Sequence, residues 1–147
     1  MAYELNSDKA WKKADELLKI FRLDNKLDWL PIHFSKGMKQ KVMLVCAFIT
    51  DAELLVIDEP FTGLDPLSAV SLTKLINEAT QDGKMVLMTS HVLSEVQTTI
   101  SKFAVLNNGC IEVSGSLDEI KRYYGLSSSD SFDKIYEILS REQVQNG

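Results

Sequence analysis

The sequence has little of what marks membrane, secreted or nucleic-acid-binding proteins. Its longest apolar run, Val42–Ile49, is too short to span a bilayer. The N-terminus lacks the pattern of a secretory signal, so we expect a cytoplasmic protein. A net charge of −5 and a pI near 5.0 argue against broad nucleic-acid binding, and we expect no nucleic acid as a partner.

Cysteine is also scarce. The two cysteines, Cys46 and Cys110, have no further cysteine or histidine at metal-ligand spacing, so we expect both to be reduced and structural. The rest of the composition is ordinary, since 45% of the 147 residues are hydrophobic and 25% are charged. A chain of this kind is long enough for one domain core.

The most informative stretch is an apolar run that ends in two carboxylates. Leu54–Ile57 is typical of a buried strand in a covered parallel sheet, and Asp58 and Glu59 follow it directly. The carboxyl ends of such strands are where open α/β sheets place their ligands. Adjacent carboxylates repel unless a cation or a proton lies between them, which favours a divalent metal or a polarised base. The alternative is a strand that simply ends in polar residues before a turn.

A second strand pattern ends in polar residues in the same way. Met85–Met88 predicts another buried strand, and Thr89, Ser90 and His91 come after it. Between the two strands, a turn rich in Gly, Asp and Pro leads into a helical pattern at Leu67–Thr80. We expect His91 to share a sheet edge with the two carboxylates. A helix-capping or core histidine is the alternative.

Upstream, Ser35 can cap the start of a helix. The free N–H groups of a first helical turn, the helix dipole, the small Gly37 and the nearby Lys36, Lys39 and Lys41 together suit a phosphate. A plain helix cap followed by a solvated basic face is the alternative.

Taken in order, these segments resemble the ATP-binding cassette (ABC) ATPases of membrane transporters. Phe34–Met38 looks like the family's signature sequence, and Leu54–Glu59 resembles the Walker B strand with its catalytic glutamate. Gly63–Pro66 is similar to the D-loop, and His91 falls at the switch histidine. The four motifs come in the family's order and at plausible spacing.

The sequence departs from the family pattern at three places. In the signature, Lys36 replaces the first glycine and Met38 replaces the glutamine, so only the backbone and Ser35 contacts carry over. Such a signature looks most like the bacterial exporter branch. These 147 residues also hold no P-loop, because the one Gly-Lys pair, Gly83-Lys84, lacks both the first glycine and the following Ser or Thr. We therefore expect the C-terminal part of a cassette, truncated before Met1.

The resemblance implies an α/β fold. It consists of the C-terminal portion of a P-loop NTPase-like parallel sheet core together with part of the ABC helical subdomain. Residues 1–50 would be part of the helical subdomain with the signature helix, residues 51–125 the C-terminal part of the nucleotide-binding core, and residues 126–147 a linker and a C-terminal helix.

Several local patterns refine this division. Asp8–Leu23 has the spacing of an amphipathic helix, with Trp11 and Phe21 expected in the core. Asn107-Asn108-Gly109 predicts the turn of a hairpin, and Ser116 to Glu119 matches a capping box. Ser127–Ser131 looks like a flexible linker. Beyond it, one face of a final helix carries Phe132, Ile135, Tyr136 and Leu139, and we expect this face to dock on the core, with docking on a partner as the alternative.

The resemblance also assigns roles in ATP hydrolysis. Ser35, Lys36, Gly37 and Met38, as the signature, would face the γ-phosphate of an ATP held by a second ATPase subunit in a head-to-tail dimer. Asp58 would hold Mg²⁺ through water, and Glu59 would orient or deprotonate the attacking water. His91 would contact the γ-phosphate, and Asp65 would bridge the two subunits.

The partners follow from the same resemblance. A separate transmembrane permease subunit would place the protein at the inner face of the cell membrane. The chain alone should bind ATP weakly, hydrolyse none and self-associate through exposed sheet edges. Two alternatives stay open, a non-catalytic regulatory or interaction module derived from a cassette and a non-transport ABC ATPase. The second would normally carry long heptad segments, and none is visible in the sequence.

Overall fold

A computed structural model describes residues 7–50, 52–91, 96–97 and 99–145. The chain forms two compact units, the first ending at Ser90 and the second beginning at His91. No helix within the described ranges is both long enough and apolar enough to cross a membrane.

The first unit combines helices with a small parallel sheet. Its elements are α1 (Ser7–Ile20), two short 3₁₀ turns (Asp24–Lys26 and Pro31–His33), α2 (Lys36–Ile49), β1 (Leu54–Ile57), α3 (Pro66–Gln81) and β2 (Met85–Met88). β1 and β2 pair in parallel, from Leu54 opposite Met85 to Ile57 opposite Met88, and α3 connects them. The predicted α/β fold with a parallel sheet is confirmed.

The sheet is buried on one face. Leu55 and Ile57 of β1 are in the core, but the exposed fraction is 67% for Val56 and 59% for Leu87, which lie opposite each other. The expectation that both faces of these strands are buried is therefore wrong within the described part of the chain. A strand alternates its side chains between two faces, and only one face has α2 and α3 packed near it.

Helix α1 ends earlier than the sequence indicates. Arg22 adopts a left-handed conformation with φ 59°, and the amide of Leu23 donates to the carbonyl of Leu18 at 2.8 Å. This is the Schellman geometry that terminates a helix, and it turns Phe21 and Leu23 into the core. The prediction for Phe21 is confirmed. That for Trp11 is wrong, since its side chain is 74% exposed.

The second unit is built on a hairpin. Its elements are β3 (Phe103–Asn107), β4 (Cys110–Gly115), α4 (Leu117–Tyr123) and α5 (Lys134–Gln145). β3 and β4 are antiparallel, and the turn between them has φ 47° at Asn108 and φ 78° at Gly109. Two successive positive φ angles are typical of a type I′ turn, so the predicted hairpin is confirmed.

The C-terminal segment packs on this hairpin unit. Ser116 and Glu119 form the predicted capping box at the start of α4. Phe132 and Ile135 join Ile120 in a buried cluster with Leu139 packed against it, which confirms the docking of the final segment within this unit. The prediction for Tyr136 is wrong, since this residue is exposed. The segment Ser127–Ser131 is not a free linker, because the amide of Ser127 donates to Asp130 at 2.8 Å and Lys121 Nζ donates to the Ser128 carbonyl at 2.9 Å.

Candidate functional site

The two carboxylates at the end of β1 are linked to the end of β2 by Thr89. The Thr89 hydroxyl donates a hydrogen bond to Asp58 Oδ1 and accepts one from the amide of Glu59 at 3.0 Å. The amide of Thr89 in turn donates to the carbonyl of Ile57 at 3.2 Å. Because β1 and β2 run in parallel, their carboxyl ends meet at one edge of the sheet. Thr89 therefore holds the Asp58 carboxylate and the backbone of Glu59 at this edge of the sheet.

The backbone of Glu59 is held in a left-handed conformation, with φ 45°. Such a conformation is unfavourable for a residue with a Cβ atom, by about 1 kcal/mol or more, and persists when neighbouring contacts enforce it. Its carbonyl accepts from the amide of Thr62 at 3.2 Å and from Gln40 Nε2 at 3.2 Å. The side chain of Glu59 is half-buried, and Oε2 accepts from the Thr62 hydroxyl at 3.3 Å.

The exposed Asp58 is suited to a hard divalent cation. Mg²⁺ takes oxygen ligands, often one or two carboxylates, with water and phosphate supplying the rest. Among the described residues, no three His, Cys, Asp or Glu side chains cluster as a metal site. The residues present therefore fit Mg²⁺ held through Asp58 and a phosphate, but not a cation enclosed by protein ligands alone.

The start of α2 is capped by Ser35, as the sequence indicates. Its hydroxyl accepts a hydrogen bond from the amide of Met38 at 3.2 Å. The amides of Lys36 and Gly37 lie in the first turn, where a helix offers no internal acceptor. The Ser35 hydroxyl still has its own proton to donate. Since Ser35 and Lys36 are exposed, this turn can meet an anion from outside the chain.

Gly37 also has a packing role that the sequence did not indicate. A Cβ atom at this position would lie 2.5 Å from the carbonyl oxygen of Gly63. Real side chains do not approach a backbone atom so closely. The first turn of α2 therefore contacts the turn before α3 within the same chain, and only glycine permits that contact.

Lys41 and Asp65 form an ion pair, with Lys41 Nζ 2.6 Å from Asp65 Oδ2. The Lys41 side chain is 13% exposed and that of Asp65 is 47% exposed. Asp65 also caps α3, since Oδ1 accepts from the Ser68 amide at 3.0 Å and Oδ2 from the Ser68 hydroxyl at 2.8 Å. The Lys41 ammonium and then Ser68 hold the pKa of Asp65 well below its usual range. Lys41 is therefore engaged inside the chain, and its contribution to a phosphate site stays a prediction.

His91 is exposed and is the first residue of the second unit. It comes three positions after the end of β2, with Thr89 and Ser90 between. Its role as the switch histidine stays a prediction.

Comparison with known proteins identifies the family. A family model described as an AAA domain, putative AbiEii toxin, Type IV TA system, matches residues 3–96. The ABC-type transporter ATP-binding protein EcsA of Bacillus subtilis is 42% identical over 144 residues, which are 98% of this chain and 58% of EcsA. The chain belongs to the ABC ATPases. The uncharacterised ABC transporter ATP-binding protein YthP of the same organism is 33% identical, over 90% of this chain and 56% of its own length.

A solved structure supports the same family. The ATP-binding subunit of an ABC transporter superposes with a TM-score of 0.84 at 42% identity, covering 95% of this chain and 58% of that one. This ABC chain thus spans a little over half the length of the relatives that it matches.

Sequence reasoning did not indicate the contacts that four residues make in the site. Gln40 and Lys41 follow Gly37 at i+3 and i+4, the spacing of one helix face, and this spacing could have predicted a shared contact. Thr89 follows β2 directly, as Asp58 follows β1. Because the carboxyl ends of parallel strands lie at one edge of the sheet, these positions could have predicted that the two residues are in contact. Thr62 gave no signal, because its contact depends on the left-handed backbone at Glu59.

Proposed function

We propose that this chain is the C-terminal part of the ATP-binding and ATP-hydrolysing subunit of an ABC transporter, coupling ATP binding and hydrolysis to export through a separate membrane subunit. The observation that carries the proposal is the placement of Asp58 and Glu59 by Thr89 at the carboxyl end of the parallel sheet. Membership of the ABC family and the names of the transporter relatives support it.

The first turn of α2 binds a phosphate in this proposal. The amides of Lys36 and Gly37 and the hydroxyl of Ser35 donate to the γ-phosphate of an ATP held by a second, head-to-tail subunit. The exposed Lys36 adds a positive charge beside them, whereas Met38 offers no polar group in place of the glutamine. Donors fixed on a helix stabilise negative charge that develops in phosphoryl transfer without having to reorganise.

Asp58 and Glu59 divide the remaining chemistry. Asp58 would hold Mg²⁺, and the ion would neutralise charge on the phosphates. Glu59 orients the attacking water and accepts its proton. The Thr62 hydroxyl donates a hydrogen bond to Glu59 Oε2 and so helps to orient the carboxylate. His91 contacts the γ-phosphate and reports its presence, and Asp65 lies where the two subunits meet.

The proposal places the protein at the inner face of the cell membrane, bound to a transmembrane permease. Its own 147 residues supply no P-loop, so a second polypeptide segment must hold the nucleotide. The exposed apolar face of the β1–β2 sheet is a surface that such a segment would cover.

The experiment compares the chain alone with the chain supplied with the missing part of a cassette. Nucleotide affinity and turnover are measured with MgATP, first alone and then after co-expression with the portion of EcsA that this chain does not match. We expect weak binding and no turnover alone, and turnover in the co-expressed complex. The Asp58→Asn variant is the matched negative control. Turnover by the chain alone, or a complex that forms but stays inactive, contradicts the proposal, and the second result favours a non-catalytic module.

A further inference from the structure

Three residues on one face of α2 contact the segment between β1 and α3. Gly37 lies against the carbonyl of Gly63, Gln40 donates to two carbonyls after β1, and Lys41 pairs with Asp65. Positions i, i+3 and i+4 share a helix face, so these contacts form one continuous strip. The strip runs along Glu59–Asp65, which contains the carboxylate of the proposed base.

Gln40 makes the contact nearest to that base. Its Nε2 donates to the carbonyl of Glu59 at 3.2 Å and to that of Pro60 at 3.3 Å. An amide NH₂ has two protons, one for each acceptor. In an extended strand, successive carbonyls point in opposite directions and could not share one donor. The two carbonyls can converge on Gln40 because the backbone turns at Glu59, whose φ is 45°.

Two further hydrogen bonds hold the backbone of Glu59. Its amide donates to Thr89, and the amide of Thr62 donates to its carbonyl. Thr89 follows β2 and Thr62 lies in the same turn, whereas Gln40 joins the Glu59 carbonyl to a helix. A donor carried by a helix has a more fixed position than a donor that lies within the same turn as its acceptor.

We propose that Gln40 is a positioning residue, which keeps Glu59 in its left-handed conformation and thereby directs the Glu59 carboxylate. The reaction that this serves rests on the proposed function of Glu59. The same contact links α2, whose first turn is the proposed phosphate site, to the backbone of the proposed base.

The test uses two substitutions that remove the donor and one matched control. Gln40→Met keeps the unbranched shape without an N–H group, and Gln40→Glu keeps the shape with acceptors only. The control is Met43→Gln, the reverse exchange at an exposed position of the same helix. Hydrogen exchange of the 147-residue chain is followed by mass spectrometry in peptides covering residues 58–65 and, separately, residues within α3.

Both donor-removing variants should exchange about fivefold faster in residues 58–65, the effect of one lost hydrogen bond, with α3 unchanged. Met43→Gln should match the parent in both peptides. Equal acceleration in α3 overturns the proposal, because it indicates general destabilisation. No change in residues 58–65 also overturns it, because Gln40 would then not stabilise this segment.

A second readout connects the contact to catalysis. In the co-expressed complex with the EcsA portion, Gln40→Met should lower kcat about tenfold while KM for MgATP stays at the parent value, because the nucleotide contacts are untouched. A parent kcat in that variant overturns the positioning role. If the parent complex itself is inactive, the proposed function fails, and the exchange data still decide whether Gln40 holds Glu59.

Discussion

Lys41 and Asp65 lie 24 positions apart in the sequence, and their charged groups are 2.6 Å apart in the structure. The pair joins the first half of α2 to the cap of α3. Lys41 is nearly buried and Asp65 is half-exposed, so removing one partner has a different energetic cost from removing the other. A buried cation that loses its partner is costly, whereas an exposed carboxylate can be solvated by water.

The first prediction therefore concerns Asp65→Asn. Asparagine caps a helix about as well as aspartate, so the cap of α3 is kept while the charge is removed. We expect the free energy of unfolding to fall by about 1 kcal/mol, less than for a fully buried pair because Asp65 is half-exposed. Asp15→Asn, which breaks the exposed pair with Lys19, is the control and should cost at most about 0.5 kcal/mol.

The same variant predicts a pH dependence. Lys41 and Ser68 lower the pKa of Asp65 in the folded state, so ionised Asp65 favours folding. That contribution is complete above the unfolded pKa of about 4 and is lost as the pH falls toward the lowered folded pKa. Urea unfolding of parent and Asp65→Asn should show a difference at pH 7 that shrinks below about pH 4. A difference that stays constant through the acid range would contradict this origin.

The second prediction concerns the close contact of Gly37 with Gly63. A methyl group at Gly37 would meet the Gly63 carbonyl at 2.5 Å, and both groups belong to backbone that cannot move freely. We expect Gly37→Ala to lower the free energy of unfolding by about 2 kcal/mol, as overpacking does. Cys46→Ala, at an exposed position of the same helix, should stay within about 0.5 kcal/mol of the parent. Equal stability of the two variants would show that the turn before α3 moves to accommodate the added methyl group.

The sequence predicted those features that depend on local chemistry. The cap at Ser35, the hairpin turn at Asn108-Gly109 and the capping box at Ser116 follow from short-range hydrogen bonds and backbone preferences. The order of the motifs also predicted the family, which the transporter relatives confirm.

The sequence could not predict contacts that depend on distant segments. Lys41 looked like part of a basic face because nothing in its neighbourhood indicates Asp65 as a partner. Trp11 fits the apolar spacing of α1, yet the helix presents it outward. In the same way, Val56 reads as a buried residue, and its exposure depends on whether another segment lies over that face of the sheet.

The third prediction applies to a complete cassette, in which a P-loop is supplied with this chain. Glu59→Gln keeps the shape and the acceptor for Thr62 but removes the proposed base. We expect turnover to fall by a factor of about 100 or more, with ATP affinity retained, since general-base catalysis contributes factors of this order. Ser35→Ala should instead weaken the ATP-dependent association of the two subunits. Parent turnover in Glu59→Gln would show that the assigned role is wrong.

The last prediction concerns the exposed face of the β1–β2 sheet. Leu54 and Val56 lie opposite Met85 and Leu87, and all four side chains are exposed. Burial of a contiguous apolar surface of this kind favours association in water. The net charge of −5 slows aggregation without preventing specific pairing. We therefore expect the chain alone to self-associate.

Light scattering over a dilution series measures that association, and substitution of the face tests where it occurs. Val56→Lys combined with Leu87→Lys should shift the chain to monomer, because two like charges on opposite residues repel and each is costly to bury. Ile111→Lys, an equal change at an exposed position of the hairpin, is the control and should leave the association unchanged. A monodisperse parent monomer at high concentration would mean that the exposed sheet face needs no cover. If the Ile111 variant dissociated instead, the contact would lie on the hairpin unit.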